Sequence, residues 1–107
     1  GPPAGCLILG REGAEVVACV GVRRFSADTC EMKRLFVRES ARGSGLGRRL
    51  AQESVVAGRR LGYRRMVLDT LDSMAAARHV YASLGFREIE AYYENPLEGV
   101  RYYGLEL

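Results

Sequence analysis

A loop rich in arginine and glycine is the part of the sequence best suited to chemistry on a phosphate-bearing molecule. It reads Arg42-Gly43-Ser44-Gly45-Leu46-Gly47 and lies between a strand-like run, residues 31–37, and an amphipathic helical segment, residues 48–61. Glycines let a backbone approach a ligand closely, and the start of a helix offers unpaired N–H groups at the positive end of its dipole. The loop therefore predicts an anion site suited to a pyrophosphate.

Two common kinds of phosphate-binding loop are excluded by the residues around this one. A dinucleotide-binding loop needs a third glycine three residues after the second, where this chain has Arg48. The Gly-Lys-Ser/Thr motif of nucleoside-triphosphate loops occurs nowhere in the chain. The predicted pyrophosphate therefore belongs to another class of ligand.

The other reactive side chains predict neither a metal site nor a histidine base. Cys6, Cys19 and Cys30 are odd in number, far apart and without a CxxC pair, so we expect buried or half-buried thiols in a reducing cytoplasm. His79 is the one histidine and follows Arg78 on a helix that we expect to be partly exposed. A solvated position is therefore expected for it.

Strands and a helix, which differ in the spacing of their apolar residues, must position the glycine loop. Residues 6–9, 16–22 and 31–37 are strand-like and separated by turns, which predicts an antiparallel meander. Small and apolar residues then recur at helical spacing as far as Gly62, and a short buried strand follows at residues 66–68. A strand, a helix and a strand in this order imply a right-handed parallel crossover.

The last third of the chain predicts one more helix and two more strands. Ser73 is placed to cap a helix that runs to about Leu84, and Gly85 is placed to end it. Residues 86–93 and 100–107 are strand-like and flank a turn. The predicted class is α+β, with the meander followed by β-α-β-α-β-β around a mixed central sheet.

The composition fits one domain, residues 1–107, of ordinary globular make-up. Of its 107 residues, 48% are apolar and 27% are charged. No apolar run reaches the roughly 18–20 residues that span a bilayer, so no membrane association is expected. The net charge of +3 slightly favours an anionic small ligand and argues only weakly for nucleic acid. The chain begins Gly1-Pro2-Pro3 without Met, which is compatible with a processed start or with further sequence upstream.

Two short motifs together resemble those of one family. Arg42-x-x-Gly45-x-Gly47, after a strand and at a helix start, resembles the acyl-CoA motif of the GNAT N-acetyltransferase superfamily. Tyr81-x-x-x-Gly85-Phe86 is similar to that family's Tyr-x-x-x-Gly-Phe signature. The resemblance runs from about Cys6 to the end of the chain. It implies a GNAT-type fold shortened at the N-terminus, without the usual first strand and two helices that commonly form a wall of the acceptor pocket.

The resemblance also implies roles in binding acetyl-CoA as co-substrate. The backbone of the third strand would pair with the pantetheine arm, and a bulge there would turn the Val37 N–H toward the thioester carbonyl. Tyr81 would protonate the departing thiolate, although a plain core aromatic is the alternative. A polar contact that relatives make with Asn, where this chain has Met74, would come from the backbone or from a hydroxyl. The predicted donor-binding residues are Leu35, Phe36, Val37, Arg42, Gly43, Ser44, Gly45, Leu46, Gly47, Arg48, Thr70 and Ser73.

The acceptor implied by the resemblance is an amine, which would attack the thioester directly in a ternary complex. Glu31 is the candidate base for the amine proton, and an ion-paired Glu31 with Lys33 as partner is the alternative. Aromatic and acidic residues near the last hairpin suit a cationic amine or ordinary hairpin packing; they are Tyr92, Tyr93, Glu94, Tyr102 and Tyr103. A homodimer would complete the acceptor site, and a non-catalytic acyl-CoA-binding module or a small interaction domain is the competing function.

Overall fold

The computed structural model describes residues 5–107, which form six strands and two helices around one sheet. The bounds are β1 Cys6–Glu12, β2 Glu15–Arg24, β3 Thr29–Val37, α1 Leu46–Arg60, β4 Arg65–Leu71, α2 Ala75–Ser83, β5 Arg87–Ile89 and β6 Val100–Glu106. A 3-10 turn, Glu39–Ala41, precedes the glycine loop. The predicted α+β class and the order of elements are confirmed, while the Gly1-Pro2-Pro3 start lies outside the described residues. Neither helix of the described segment is long and apolar enough to span a bilayer.

The sheet is mixed and has the strand order β1-β2-β3-β4-β6-β5. Its pairs are antiparallel except for β3 and β4, which are parallel and joined through α1. Within residues 5–107, β3 and β4 pair along Thr29–Glu31 and Arg65–Val67, and no pairing continues beyond Glu31 and Val67. The remaining halves of both strands diverge, so a wedge opens at the middle of the sheet.

The core lies between α1 and one face of the sheet. Alternate residues of β2, Val20 and Val22, are buried beneath α1, as the period of a half-buried strand requires. Gly58 of α1 brings the helix close to the parallel strands, since an added Cβ would lie 3.0 Å from Met66 Cε and 3.1 Å from Cys30 Sγ. This helix begins at Leu46, two residues before the predicted start, so the glycine loop runs directly into its first turn.

The predicted cap of the second helix is wrong. Met74, and not Ser73, is the N-cap residue of α2, and within the described chain no side chain caps this helix. The backbone explains the shift, because the Asp72 N–H donates to Gly99 O at 2.6 Å and the Met74 N–H donates to Leu71 O at 2.9 Å. The chain is still turning away from β4 at Ser73, and helical geometry begins only afterwards.

The predicted strand over residues 86–93 is too long. Only Arg87–Ile89 pairs with β6. The chain then leaves the sheet, and the hydroxyls of Tyr92 and Tyr93 donate to the carboxylates of Glu31 and Asp69. The two tyrosines thus hydrogen-bond to a buried acid, Glu31, and a half-buried one, Asp69, and the chain does not continue the pairing with β6.

The thiols and the histidine follow the sequence predictions with one exception. Cys30 is buried and Cys19 is half-buried, but Cys6 is exposed on edge strand β1. Burial raises the pKa of the Cys30 thiol to about 11, which makes it a weak nucleophile at neutral pH. His79 is exposed, as expected.

Candidate active site

A cavity of about 220 Å³ occupies the wedge between β3 and β4. It brings together three of the residues predicted from the sequence, Leu35, Thr70 and Tyr81. Asp69 and Met74 also line it. Residues of the two diverging strands and Tyr81 therefore line one concave site, the usual form of a small-molecule site.

The bulge expected in the third strand is present. Cys19 pairs with Phe36 and Gly21 pairs with Lys33, so β3 has one extra residue opposite Val20. Beyond this bulge, the Arg38 N–H donates to Val17 O at 2.7 Å. Because backbone groups alternate along a strand, the N–H and C=O of Val37 point away from β2 toward the wedge.

The glycine loop owes its shape to backbone conformation. Gly43 and Gly45 have φ values of 83° and 81°, and a Cβ added to either would meet nothing within 4 Å. The residues are therefore required by their left-handed φ and not by lack of space. Within the described chain, the first turn of α1 contains no acidic residue and no side chain caps it. The N–H groups at this helix start are thus available to an anion.

The two arginines predicted near phosphates contact protein groups in the structure. Arg42 Nε donates to Val37 O at 2.9 Å, on the strand edge that faces the wedge. Arg48 donates through Nη1 to the hydroxyl of Ser83 and so joins the start of α1 to the end of α2. Both arginines are exposed, and their predicted contact with phosphate stays a prediction.

Tyr81 combines a buried ring with a place on the cavity wall. Its side chain is 5% exposed, and Phe86 and Tyr103 flank the ring with centroids 5.9 Å and 6.2 Å away. Burial, with a smaller effect of the Asp69 charge, raises the pKa of the phenol to about 12. The hydroxyl therefore keeps its proton throughout the neutral range.

Glu31 lies at the centre of a buried ionic cluster. It is 1% exposed, and its Oε1 accepts from Arg23 Nε at 2.8 Å. Its Oε2 accepts from the Tyr92 hydroxyl at 2.5 Å and lies 3.4 Å from Lys33 Nζ. The ion pair with Lys33 foreseen from the sequence is present. The role of Glu31 as the acceptor of a proton from the amine stays a prediction.

Asp69 is a site residue that the sequence reasoning missed. Its side chain lines the cavity with Tyr81 and is 23% exposed. It accepts a hydrogen bond from the Tyr93 hydroxyl and lies 3.8 Å from Lys33 Nζ. The available signal was a single acid directly after the buried run Met66-Val67-Leu68, where a strand residue on the open face of a sheet meets solvent or substrate.

The tyrosines near the last hairpin form part of the same polar cluster. Tyr92, Tyr93 and Tyr102 contact one another with centroids 5.3–5.7 Å apart, mostly edge to face. Burial, followed by the hydrogen bond to Glu31, raises the pKa of Tyr92, so its hydroxyl remains a donor. Tyr103 packs instead beside Tyr81. Hairpin packing and acid binding are thus combined in this group.

Most of the chain is similar to known acetyltransferases. The model of the acetyltransferase (GNAT) family matches residues 1–86. An uncharacterized N-acetyltransferase of Schizosaccharomyces pombe is 44% identical over 109 residues, which cover 100% of this chain and 67% of that protein. The N-acetylaspartate synthetase of Rattus norvegicus is 32% identical over 91 residues, or 84% of this chain and 30% of that enzyme. The chain thus spans about two thirds of the first relative and under a third of the second.

Solved structures have the same fold. An acetyltransferase from Streptococcus agalactiae superimposes with a TM-score of 0.84 at 26% identity, over 97% of this chain and 68% of that one. A GNAT family acetyltransferase from Elizabethkingia anophelis, with acetyl-CoA bound, gives a TM-score of 0.83 at 23% identity, over 97% and 77% of the two chains. The motifs, the strand order and these relatives agree, and the chain belongs to the GNAT acetyltransferase family.

Proposed function

We propose that this chain transfers an acetyl group from acetyl-CoA to an amine, by direct attack within a ternary complex. The observation that carries the proposal is the wedge between β3 and β4, with Tyr81 on its wall and the glycine loop beside it. The same fold binds acetyl-CoA in the Elizabethkingia anophelis protein. We propose that residues 1–107 form one domain. A homodimer that completes the acceptor site stays a prediction.

The donor would lie along the free edge of β3. A pantetheine arm in the wedge can pair with the backbone of Leu35–Val37 as a further strand would, and the glycine loop can receive the pyrophosphate. The Val37 N–H would face the thioester oxygen, where such a donor contributes roughly 3 kcal/mol to an acyl transfer. Arg42 now occupies Val37 O, so its guanidinium would exchange that carbonyl for a phosphate.

The polar contacts predicted near Met74 differ in their support. Thr70 lines the cavity, and its hydroxyl lies 3.9 Å from Met74 Sδ, a weak partner that a ligand amide would readily replace. Ser73 lies in the turn before α2 and is exposed. Thr70 is therefore the better of the two candidates for a contact with the donor.

The reaction would form a C–N bond and break a C–S bond and an N–H bond. The amine nitrogen attacks the thioester carbon, the sulfur leaves as a thiolate, and the nitrogen gives up a proton. Complete proton transfer from Tyr81 to a thiolate whose acid has a pKa near 8.5 would be uphill by on the order of 5 kcal/mol. Tyr81 would therefore act mainly by donating a hydrogen bond to the sulfur as its charge develops, and the thiolate would take up the proton that the attacking nitrogen releases as the amide forms.

Replacing Tyr81 with Phe is expected to lower kcat about tenfold to a hundredfold and to leave acetyl-CoA affinity nearly unchanged, because the hydroxyl would act only as charge develops. Steady-state kinetics and calorimetry measure the two quantities. Since the pKa of Tyr81 is about 12, the protonated form persists as the pH rises, and kcat should not decline between pH 8 and 10 through loss of this proton. A Tyr81→Phe enzyme with unchanged turnover would remove Tyr81 from the mechanism.

Replacing Gly45 with Ala is expected to weaken both the fold and the donor site. An L-residue at a φ of 81° costs about 1–2 kcal/mol, and a relaxed loop would turn N–H groups away from the pyrophosphate. Gly62→Ala is the matched control, because Gly62 has a φ of 92° beyond the other end of α1 and is not among the predicted donor-binding residues. Melting temperature should fall in both variants and coenzyme A affinity in Gly45→Ala only, and an equal loss of affinity in both would contradict this role for Gly45.

Two acids are candidates for the proton of the amine. Glu31 is the base predicted from the sequence, and both of its oxygens already have partners. Asp69 lies on the cavity wall with Tyr81 and is the more accessible of the two. We propose Asp69 as the acceptor of the proton and Glu31 as the residue that positions Lys33 and Tyr92.

A non-catalytic acyl-CoA-binding module is the second candidate function. It is favoured by the ion pairs and the hydrogen bond that occupy both oxygens of Glu31. Acetyl-CoA would then raise the melting temperature without release of thiol with any amine. A thiol-release assay over a panel of amines, run beside a thermal-shift titration, distinguishes the two functions.

A further inference from the structure

A second cavity lies beside β1, β2 and β3, with Arg23 and Lys33 at strand positions that alternate away from α1. It has a volume of about 460 Å³, and Gly21, Arg23 and Lys33 are among the residues that line it. Gly21 pairs with Lys33 across β2 and β3, and the missing side chain leaves space above the strands at this point. The cavity is therefore bordered by two cations on adjacent strands.

The accessible charges near this cavity form a positive pole, Arg23 and Lys33, and a negative pole, Asp69. Arg23 and Lys33 are 63% and 32% exposed, whereas Glu31, which neutralises part of their charge, is buried beneath them. On the other side of Lys33, Asp69 lies in the wedge cavity beside Tyr81. An accessible positive pole thus adjoins an accessible negative one.

We propose that Arg23 and Lys33 form a subsite for a carboxylate of the acceptor, so that the acceptor is an amine of the amino-acid type. This inference rests on the proposed acetyl transfer, because Asp69 would receive the ammonium end of the same molecule. The acceptor would be neutral overall and would match the two poles. A simple polyamine or alkylamine would leave the positive pole without a partner.

The geometry at Lys33 favours an exchange of ionic partners. Lys33 Nζ lies 3.8 Å from Asp69 Oδ2, which is beyond hydrogen-bond distance, so this pair is loosely held. A bound amino acid would replace it with two new pairs, ammonium to Asp69 and carboxylate to Lys33. Because the two poles lie this close, the amine and the carboxylate should be separated by only a few carbon atoms.

The first test compares pairs of acceptors in which one carries a carboxylate and the other a hydroxyl in its place. Both are assayed with the full chain and acetyl-CoA. The pairs are β-alanine with 3-aminopropanol and 4-aminobutanoate with 4-aminobutanol. We expect kcat/KM to favour the carboxylate by about tenfold to a hundredfold, the usual effect of a charge-assisted hydrogen bond. Arg23→Gln should bring this ratio toward one. Arg24→Gln is the matched control, since the next side chain of the strand points to the other face, and it should keep the ratio of the unchanged protein.

A second measurement separates this proposal from the proposed function. Calorimetry with the protein saturated by coenzyme A should detect β-alanine and not 3-aminopropanol, whether or not acetyl transfer occurs. Binding without any acetylation would support the subsite and overturn the transferase. Three results would overturn the subsite. The first is equal kcat/KM for the two acceptors of a pair, and the second is an equal fall in kcat/KM for both acceptors in Arg23→Gln. The third is no binding of β-alanine.

Discussion

An Asp69→Asn variant is expected to lose about 100-fold to 10,000-fold in kcat/KM at neutral pH, the range ascribed to a positioned general base. An alkylammonium with a pKa near 10.4 is only about one part in 2,500 neutral at pH 7, so attack on the thioester requires a group that removes its proton. Asn has the shape of Asp and can still accept from the Tyr93 hydroxyl, but it cannot take a proton. The fold should therefore survive while the rate falls.

The matched control is Glu31→Gln, which makes the same change on the neighbouring strand. We expect a smaller loss of rate, because both oxygens of Glu31 are already hydrogen-bonded or ion-paired. Without its base, the Asp69→Asn enzyme should also show a rate that rises steeply with pH, in proportion to the free amine. If Glu31→Gln were the slower enzyme and Asp69→Asn nearly normal, Glu31 would be the base and Asp69 a binding residue.

Replacing Glu31 with Ala is expected to lower the free energy of unfolding by about 2–3 kcal/mol. The change removes the acceptor of the Tyr92 hydroxyl and leaves Lys33 and Arg23 without their buried partner. Loss of one member of a fully buried pair costs about 3–5 kcal/mol, but here the two cations are partly exposed and regain water. The expected loss is correspondingly smaller.

Urea unfolding of four proteins measures this effect. The free energy of unfolding of Glu31→Ala should be well below that of the unchanged protein. The values for Tyr92→Phe and Glu31→Gln should lie between the two, because each variant keeps part of the cluster. A Glu31→Ala protein within about 0.5 kcal/mol of the unchanged one, the range of ordinary surface substitutions, would show that the cluster does not stabilise the fold. Glu31 would then be free for a purely functional role.

Features set by neighbouring residues in the chain were predictable. The meander and α1 follow from the periods of their apolar residues, and the helix-ending glycines, Gly62 and Gly85, have the expected positive φ of 92° and 99°. The place of Tyr81 on the cavity wall was also expected, from the family motif that contains it. In each case the residues that determine the feature lie within a few positions of it in the sequence.

Features set by residues far apart in the chain were not predictable. The role proposed for Asp69 depends on its contacts with Lys33 and Tyr93, which lie elsewhere in the chain and meet it only in the folded protein. The early end of β5 has the same origin, because Tyr92 leaves the strand to reach Glu31. Local propensity favours a continued strand there, and a buried carboxylate that needs a donor outweighs it.

The short pairing of β3 with β4 has a consequence for how the molecule unfolds. One half of the sheet, β1–β3, and the other, β4–β6, share strand pairing along Thr29–Glu31 and Arg65–Val67, and their remaining contacts are made by α1 and by side chains such as Tyr92. A ligand that hydrogen-bonds along the free edge of β3 would add a non-peptide strand between the halves. The two halves would then open as one cooperative unit, so the donor substrate would complete the sheet as well as supply the acetyl group.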